Sequence, residues 1–167
     1  NLQRHGDALE CFDKALSLNP VDSELIVNRG LALDSSGRYE DAIACFDRAL
    51  EIDSTNEDAL FSKAITFEKM DRFEDAVAIF RFIIDGTPDN KEAWYELGFC
   101  YDCLDRLDDA FRCYDKHIEL DPYNHSAWYN RGIVLNRMAQ YTRPIESYDT
   151  ALAIKTNFAA AWYNKGN

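Results

Sequence analysis

The sequence predicts an all-α protein made of repeated pairs of helices, and three series of residues carry this prediction. Each series recurs every 34 residues. Small residues form the first series, alanines the second and aromatic residues the third: Gly30, Ala64, Gly98, Gly132 and Gly166; Ala8, Ala42, Ala76 and Ala110; Phe12, Phe46, Phe80, Tyr114 and Tyr148. A single two-helix unit cannot bury its apolar face alone, so repetition at this period is typical of a stacked array.

Each unit is predicted to contain a first and a second helix. In segment 23–56, Ile26, Gly30 and Leu33 fall on one face of a first helix, and Gly37 ends that helix at a turn. The second helix follows from Tyr39 and opens with acidic residues, which the helix macrodipole stabilises at an N-terminus. Because a small residue of the first helix faces an alanine of the second, we expect the two backbones to approach closely, with the aromatic residue inserted between helices.

The repeated motif resembles that of a known family. Segment 93–101 reads AWYELGFCY and is followed by Ala110, Tyr114 and Pro122, and segments 128–132 and 162–166 restate its opening. This pattern is similar to the tetratricopeptide repeat (TPR) motif, W-x2-L-G-x2-Y…A…F…P. The resemblance implies a right-handed superhelical solenoid of antiparallel helix pairs.

The same register divides the chain, which we expect to form a single array. Four complete repeats are predicted at residues 23–56, 57–90, 91–124 and 125–158. Segment 1–22 is predicted to be the second helix of a partial repeat, and segment 159–167 the first helix of a truncated one.

Two segments depart from the repeat. Pro144 stands where other second helices carry alanine, and proline is tolerated in a first helical turn. We therefore expect that helix to begin at about Thr142 and to pack slightly more loosely against Gly132. Gly86 replaces a large aliphatic residue and should end its helix early. Phe82, at a position usually given to Lys or Arg, either fills the resulting gap or stays exposed.

The resemblance also implies a protein-binding groove on a concave face, which the first helices line. By register, the residues expected to bind a ligand there are Asn28, Phe61, Glu92, Tyr95, Glu96, Phe99, Tyr129, Asn130, Tyr163 and Asn164. The tyrosines would form an aromatic row, and the asparagines could hydrogen-bond the backbone of an extended peptide. The alternative is that Tyr and Asn are simply common in first helices of this family.

The charges on this face favour one class of ligand. Seven acidic and two basic residues fall on it: Glu24, Asp34, Asp58, Glu68, Glu92, Glu96 and Asp102, with Lys69 and Arg137. We therefore expect a neutral or basic peptide segment as the ligand. TPR cochaperones that grip acidic C-termini use Lys, Arg and Asn at positions that hold Val27, Leu31, Ser62, Glu92 and Glu96 here, so that mode is not expected.

Composition argues against two other classes of partner. The net charge is −12 and no basic stripe occurs, so a phosphate backbone would be repelled and no nucleic-acid partner is expected. No stretch approaches the roughly 20 apolar residues that span a bilayer, so no membrane partner is expected either.

No catalytic site, metal site or cofactor is expected. His5, His117 and His125 lie in different units without a catalytic arrangement around them, and His117 is interpreted as a structural residue on a packed face. Cys100 and Cys103 form a C-x-x-C spacing, but no second pair completes a zinc site. We interpret Cys11, Cys45 and Cys113 as packing thiols in a reducing compartment and expect a cytoplasmic protein.

Three functions remain open. The first is a non-catalytic scaffold that binds a peptide segment of another protein in the groove. The second is a regulatory or targeting segment of a larger enzyme. The third is self-association end to end, because Phe158, Ala161 and Trp162 of the final helix and the apolar residues of the opening helix would lack a covering neighbour.

Overall fold

The protein is all-α in a computed structural model that describes residues 2–139 and 143–166, with side chains from residue 9 and without that of Arg143. The described residues form ten helices and no strand. These are α1 (Leu2–Leu18), α2 (Ser23–Ser35), α3 (Tyr39–Ile52), α4 (Glu57–Lys69), α5 (Phe73–Gly86), α6 (Lys91–Cys103), α7 (Leu107–Leu120), α8 (His125–Arg137), α9 (Arg143–Ile154) and α10 (Ala159–Gly166). The predicted all-α class is confirmed.

The chain divides into two compact units, Asn1–Ile79 and Phe80–Asn167. In the first unit α2 packs against α1 and α3, and α4 packs against α3. In the second unit α6 packs against α7, α7 against α8, α8 against α9 and α9 against α10. In these pairs, helices that follow one another in sequence are also neighbours in space.

Polar residues at a fixed spacing start the first helices. Asp22, Asn56, Asn90 and Asn124 each precede such a helix, and each side chain accepts a hydrogen bond from a backbone N–H in its first turn. These bonds satisfy donors that have no partner within the helix. The turns after the first helices each contain a residue with positive φ: Gly37, Asp71, Asp105 and Ala139.

Glycines of the first helices contact aromatic rings of the second helices. A methyl carbon on Gly30 would lie 2.6 Å from Cε1 of Phe46, and one on Gly132 would lie 2.5 Å from Cε1 of Tyr148. Both rings are fully buried. The small-residue series therefore makes room for an aromatic ring. The sequence had suggested an alanine of the second helix as the facing residue.

Two sequence expectations about single helices need correction. The prediction that Gly86 ends its helix early is wrong: α5 extends through Gly86 and is as long as α3 and α7. Its φ is not positive, so glycine ends this helix without a left-handed cap. Phe82 is exposed, so it does not fill a gap there. The expected start at Thr142 lies outside the described residues, whereas Pro144 is buried in the first turn of α9.

No helix within the described residues is both long enough and apolar enough to cross a membrane.

Replacing Gly132 with alanine should destabilise the second unit by about 1–3 kcal/mol, because the new methyl group would overlap the buried ring of Tyr148. The midpoint of urea denaturation measures this change. Gly86→Ala is the control, since no atom lies within 4 Å of a methyl group there. Equal midpoints for the two variants would show that Tyr148 can move aside.

Candidate functional site

A polar cleft lies between the first helices α2 and α4 of the first unit. We call it the first-helix cleft, and its volume is about 580 Å³. Its lining residues come from both helices and from the N-cap of α4: Ser23, Glu24, Val27, Asn28, Leu31, Asn56, Asp58 and Ser62. Asn28 therefore lies where the sequence places it. Phe61, the other expected ligand-binding residue in this unit, is half-buried on α4 and does not line the cleft.

Two carboxylates of this cleft are available to a ligand. Glu24 and Asp58 are exposed, and neither forms an ion pair with any described residue. Asp34, which the sequence assigns to the same face, is buried: it pairs with Lys69 and accepts a hydrogen bond from Thr66 at 2.9 Å. One expected acid and one expected base of the face therefore neutralise each other.

In the second unit, α6 carries four of the expected site residues. Glu92 is exposed, and Phe99 is 38% exposed. Glu96 is half-buried, and burial raises the pKa of its carboxyl group. Tyr95 is half-buried too, and burial is the main cause that raises the pKa of its hydroxyl. The negative charge on this helix is therefore most accessible at Glu92.

The expected asparagines of the second unit hydrogen-bond tyrosines of the preceding first helix. The side-chain amide of Asn130 donates to the Tyr95 hydroxyl at 3.0 Å, and that of Asn164 donates to the Tyr129 hydroxyl at 3.0 Å. An amide has two N–H groups and one carbonyl oxygen. Each of these asparagines therefore uses one donor inside the protein and retains capacity for a peptide backbone.

The three tyrosines of the expected row have different surroundings. The Tyr95 ring makes edge contacts with Tyr114 and His117 at centroid distances of 5.8 and 5.3 Å. The Tyr129 ring packs on Phe158 at 4.8 Å. Tyr163 is 72% exposed. Tyr95 and Tyr129 therefore pack against their own unit, and Tyr163 presents the largest surface of the three.

A second ion-pair group neutralises the remaining base of the face. Arg137 on α8 pairs with Asp102 and, at 2.7 Å, with Asp105. Burial raises the pKa of Asp102 despite this cation. With Asp34 and Asp102 paired to Lys69 and Arg137, and with Glu92 4.0 Å from the Lys91 ammonium, Glu24 and Asp58 are the exposed acids of the face for which the described residues offer no ion pair.

The side chains that could carry catalysis or bind a metal have surroundings typical of structural residues. His117 is buried, with Nδ1 2.7 Å from the Lys91 carbonyl oxygen and Nε2 2.9 Å from the Asn124 amide nitrogen. Nδ1 therefore donates to the carbonyl and Nε2 accepts from the amide, so both ring nitrogens are used. Within the described residues, no three His, Cys, Asp or Glu side chains are grouped as a metal site would require.

The cysteines differ in exposure. Cys45, Cys100 and Cys113 are buried, whereas Cys11 and Cys103 are exposed, and none of the five is in a disulfide with a described residue. Cys100 and Cys103 therefore sit in different environments although they are three residues apart. Cys11 departs from the expected packing thiol, because it lies at the solvent-facing side of α1.

A series of ion pairs that was not predicted from the sequence joins each of several second helices to the first helix that follows it. A base on a first helix pairs with an aspartate on the preceding second helix in Asp13–Arg29, Asp47–Lys63, Asp115–Arg131 and Asp149–Lys165. Both partners recur every 34 residues, which is the signal that could have found them. The remaining position of the series holds Arg81 and Leu97, which cannot pair.

Comparison with protein families identifies the repeat. Models of the tetratricopeptide repeat match residues 1–66, 92–124 and 113–143. No curated protein sequence matches the chain.

Solved structures of the same fold are similar over most of the chain. YrrB, a TPR protein with an unusual peptide-binding site, is 22% identical with a TM-score of 0.85, over 99% of this chain and 86% of that one. MamA from Desulfovibrio magneticus RS-1 is 21% identical with a TM-score of 0.86, over 94% and 90%. The first TPR of Spaghetti (RPAP3), bound to the HSP90 peptide SRMEEVD, is 20% identical with a TM-score of 0.67, over 70% and 93%. At these identities the likeness establishes the fold.

Replacing Glu96 with glutamine should raise stability at neutral pH. Because burial raises the pKa of Glu96, the folded protein holds this proton more tightly than the unfolded chain. Its contribution to stability therefore falls as pH rises from the unfolded-state pKa through the raised folded-state pKa, and the variant should lack that loss. Urea midpoints between about pH 4 and 7 measure the difference. Glu92→Gln, on the exposed part of α6, is the control. An unchanged pH dependence in Glu96→Gln would contradict the assignment.

Proposed function

Because this chain belongs to the tetratricopeptide repeat family, we propose that it is a non-catalytic scaffold that binds a neutral or basic peptide segment of another protein along its first helices. The first-helix cleft is the observation that carries this proposal. It offers carboxylates that no described residue pairs, together with side-chain amides and apolar surface, within one concavity.

The charges support the sign of the ligand. Glu24 and Asp58 flank the cleft without a cationic partner among the described residues. Glu92 on α6 of the other unit is exposed as well, with the Lys91 ammonium 4.0 Å away. An acidic peptide would have to approach these charges within a protein of net charge −12. A basic side chain of the ligand would instead form ion pairs with Glu24 and Asp58 without breaking an ion pair inside the protein.

The uncharged part of the cleft supports an extended backbone as ligand. Val27 and Leu31 supply apolar contact, with Leu31 exposed. The Asn28 amide can both donate and accept, as the amide and carbonyl groups of a peptide require. Asn56 already accepts from the Ala59 N–H and donates to the Ser23 hydroxyl, so it shapes the wall.

Neighbouring structures support a peptide ligand for the fold, and the carboxylates of this chain favour a peptide of different charge. YrrB has a peptide-binding site, and the RPAP3 repeat is bound to an HSP90 peptide that contains three acidic residues, SRMEEVD. The cleft of this chain carries Glu24 and Asp58, which would repel such a peptide. We therefore infer that the shared fold serves a ligand of opposite charge here.

Self-association is the alternative function that a specific observation favours. Trp162 is 55% exposed on α10, next to the exposed Tyr163. The Trp162 indole N–H donates to the Thr156 carbonyl at 2.9 Å, and the Lys165 ammonium lies 5.5 Å from the ring centroid, so the exposed ring is held in place. Adjacent exposed aromatic side chains of this kind are common in protein interfaces.

The charge-reversing variant Glu24→Lys/Asp58→Lys should bind a lysine-rich peptide about tenfold more weakly than the parent, because two attractive charges become repulsive. Fluorescence anisotropy with a labelled lysine-rich peptide and its glutamate-rich counterpart measures both affinities. The salt dependence of binding should also decrease in the variant.

The matched control is Glu51→Lys/Glu74→Lys, which changes net charge equally on exposed positions of the second helices α3 and α5. It should retain most of the affinity. Tighter binding of the glutamate-rich peptide by the parent protein would refute the proposed ligand class, and equal losses in both variants would refute the cleft as its site.

Self-association through α10 predicts that Trp162→Glu lowers the weight-average mass at high protein concentration, because a charge replaces exposed aromatic surface. Sedimentation equilibrium measures this, with Glu146→Gln on exposed α9 surface as the control. A parent protein that is monomeric across the concentration range would rule out this alternative.

A further inference from the structure

The series of ion pairs between second and first helices is interrupted at one position. In the first unit Arg29 bonds Asp13 at 2.8 Å and also donates to the Cys45 sulfur at 3.1 Å. In the second unit Arg131 bonds Asp115 at 2.5 Å and the Ser147 hydroxyl at 2.7 Å. The guanidinium group thus fills the space between two second helices in both places.

Arg81 and Leu97 occupy the interrupted position. Arg81 stands where the series has aspartate, and Leu97 stands where it has Arg or Lys. A leucine side chain cannot donate a hydrogen bond to an aspartate or a thiol. No guanidinium group from this position therefore fills the space between the two second helices. Both partners of the pair have changed, which leaves neither an unpaired aspartate nor a half-buried unpaired cation.

A larger cleft lies at this position than at the equivalent position of the first unit. In the first unit, the cleft that Arg29 lines has a volume of about 230 Å³. In the second unit, the cleft that Arg81 and Leu97 line has a volume of about 390 Å³. We call the latter the second-helix cleft. It is lined by residues of α5, α6 and α7: Arg81, Ile84, Asp85, Trp94, Leu97, Tyr101, Asp109, Arg112, Cys113 and Lys116.

The floor of the second-helix cleft is apolar and held in place. Ile84, Leu97 and Cys113 are nearly fully buried. The Trp94 indole N–H donates to the Pro88 carbonyl at 2.9 Å, which fixes the orientation of its ring. Burial raises the pKa of the Cys113 thiol to about 12, so this side chain adds no charge to the floor at neutral pH.

The rim carries two arginines that no described residue pairs. Arg81 and Arg112 are exposed, and neither is in an ion pair with a described residue. Arg112 stands where the first-unit cleft has Ala44, so both guanidinium groups are specific to this cleft. Asp109 and Lys116 are already paired, with Arg106 at 2.6 Å and Glu119 at 2.8 Å. Asp85 is the one rim carboxylate that no described residue pairs.

We propose that the second-helix cleft is a second docking site, which binds an apolar anchor residue flanked by carboxylates in a peptide segment of another protein. The apolar floor accepts the anchor, and Arg81 and Arg112 bind the flanking carboxylates, for which the guanidinium geometry is suited. Its volume lies within the range of specific ligand pockets, about 300–1,000 Å³. This site is separate from the first-helix cleft in residues and in the charge of its ligand.

The sharpest test restores the ion pair that the rest of the chain uses. Arg81→Asp/Leu97→Arg reproduces the pair found at the other positions of the series, so we expect it to fold and to fill the cleft. A phage-displayed library of random peptides is selected on the full chain, and the enriched peptides are synthesised. We expect an aromatic or large aliphatic residue beside Asp or Glu, and a loss of affinity of at least about tenfold in the double variant.

Two further variants distinguish the effect of charge from that of cleft shape, and the second-helix cleft from the first-helix cleft. Arg112→Ala restores the residue type of the first-unit cleft, and it should weaken binding and reduce its salt dependence while leaving the floor intact. Glu24→Lys/Asp58→Lys, which reverses the charge of the first-helix cleft, should leave these peptides bound.

Several outcomes would overturn the proposal. One is a selection that enriches no peptide dependent on Arg81 and Leu97. A second is enrichment of cleft-dependent peptides without acidic residues. A third is sedimentation in which the parent chain dimerises and the Arg81→Asp/Leu97→Arg variant does not, since the occupant would then be a second copy of this chain. If circular dichroism shows that the double variant is unfolded, the affinity of Arg112→Ala for the selected peptides decides instead, and the proposal requires that this affinity be lower than that of the parent.

Discussion

The contact between an aromatic ring on a second helix and a glycine on the first helix is the constraint on which the packing of three repeats depends. Phe46 against Gly30 and Tyr148 against Gly132 leave no room for a methyl group. Because the ring occupies the backbone surface directly, it sets the separation of the paired helices.

With the core fixed by small and aromatic residues, the surface positions are free to vary, and the charges have been distributed unequally. On the first helices, the available bases are used internally: Lys69 neutralises Asp34 and Arg137 neutralises Asp102. On the second-helix side, Arg81 and Arg112 lack partners among the described residues. A strongly acidic chain can therefore present both an acidic and a basic surface, each with apolar groups beside it.

Periodicity made the fold predictable, and the same periodicity explains what was missed. The glycine and aromatic series identify the helix pairs because every unit must solve the same packing problem. The predicted early end of α5 at Gly86 was wrong because a glycine without positive φ can be the last residue of a helix, at the same repeat position where α3 and α7 end. The hydrogen bond from Asn130 to the Tyr95 hydroxyl could not be predicted from the sequence of one repeat, because it joins adjacent repeats and depends on side-chain rotamers. The expected ligand-binding role of these residues stays a prediction.

Departures from a repeat are informative when two of them compensate. A lone change such as Phe82 leaves an exposed ring and has no partner change that explains it. Arg81 and Leu97 differ from their series together, and they lie on two helices that face each other across one cleft. Losing the aspartate alone would leave a half-buried cation unpaired, and losing the base alone would leave an aspartate unpaired. Changing both avoids either cost and leaves an apolar floor with a cation at its rim, which is the arrangement a docking site requires.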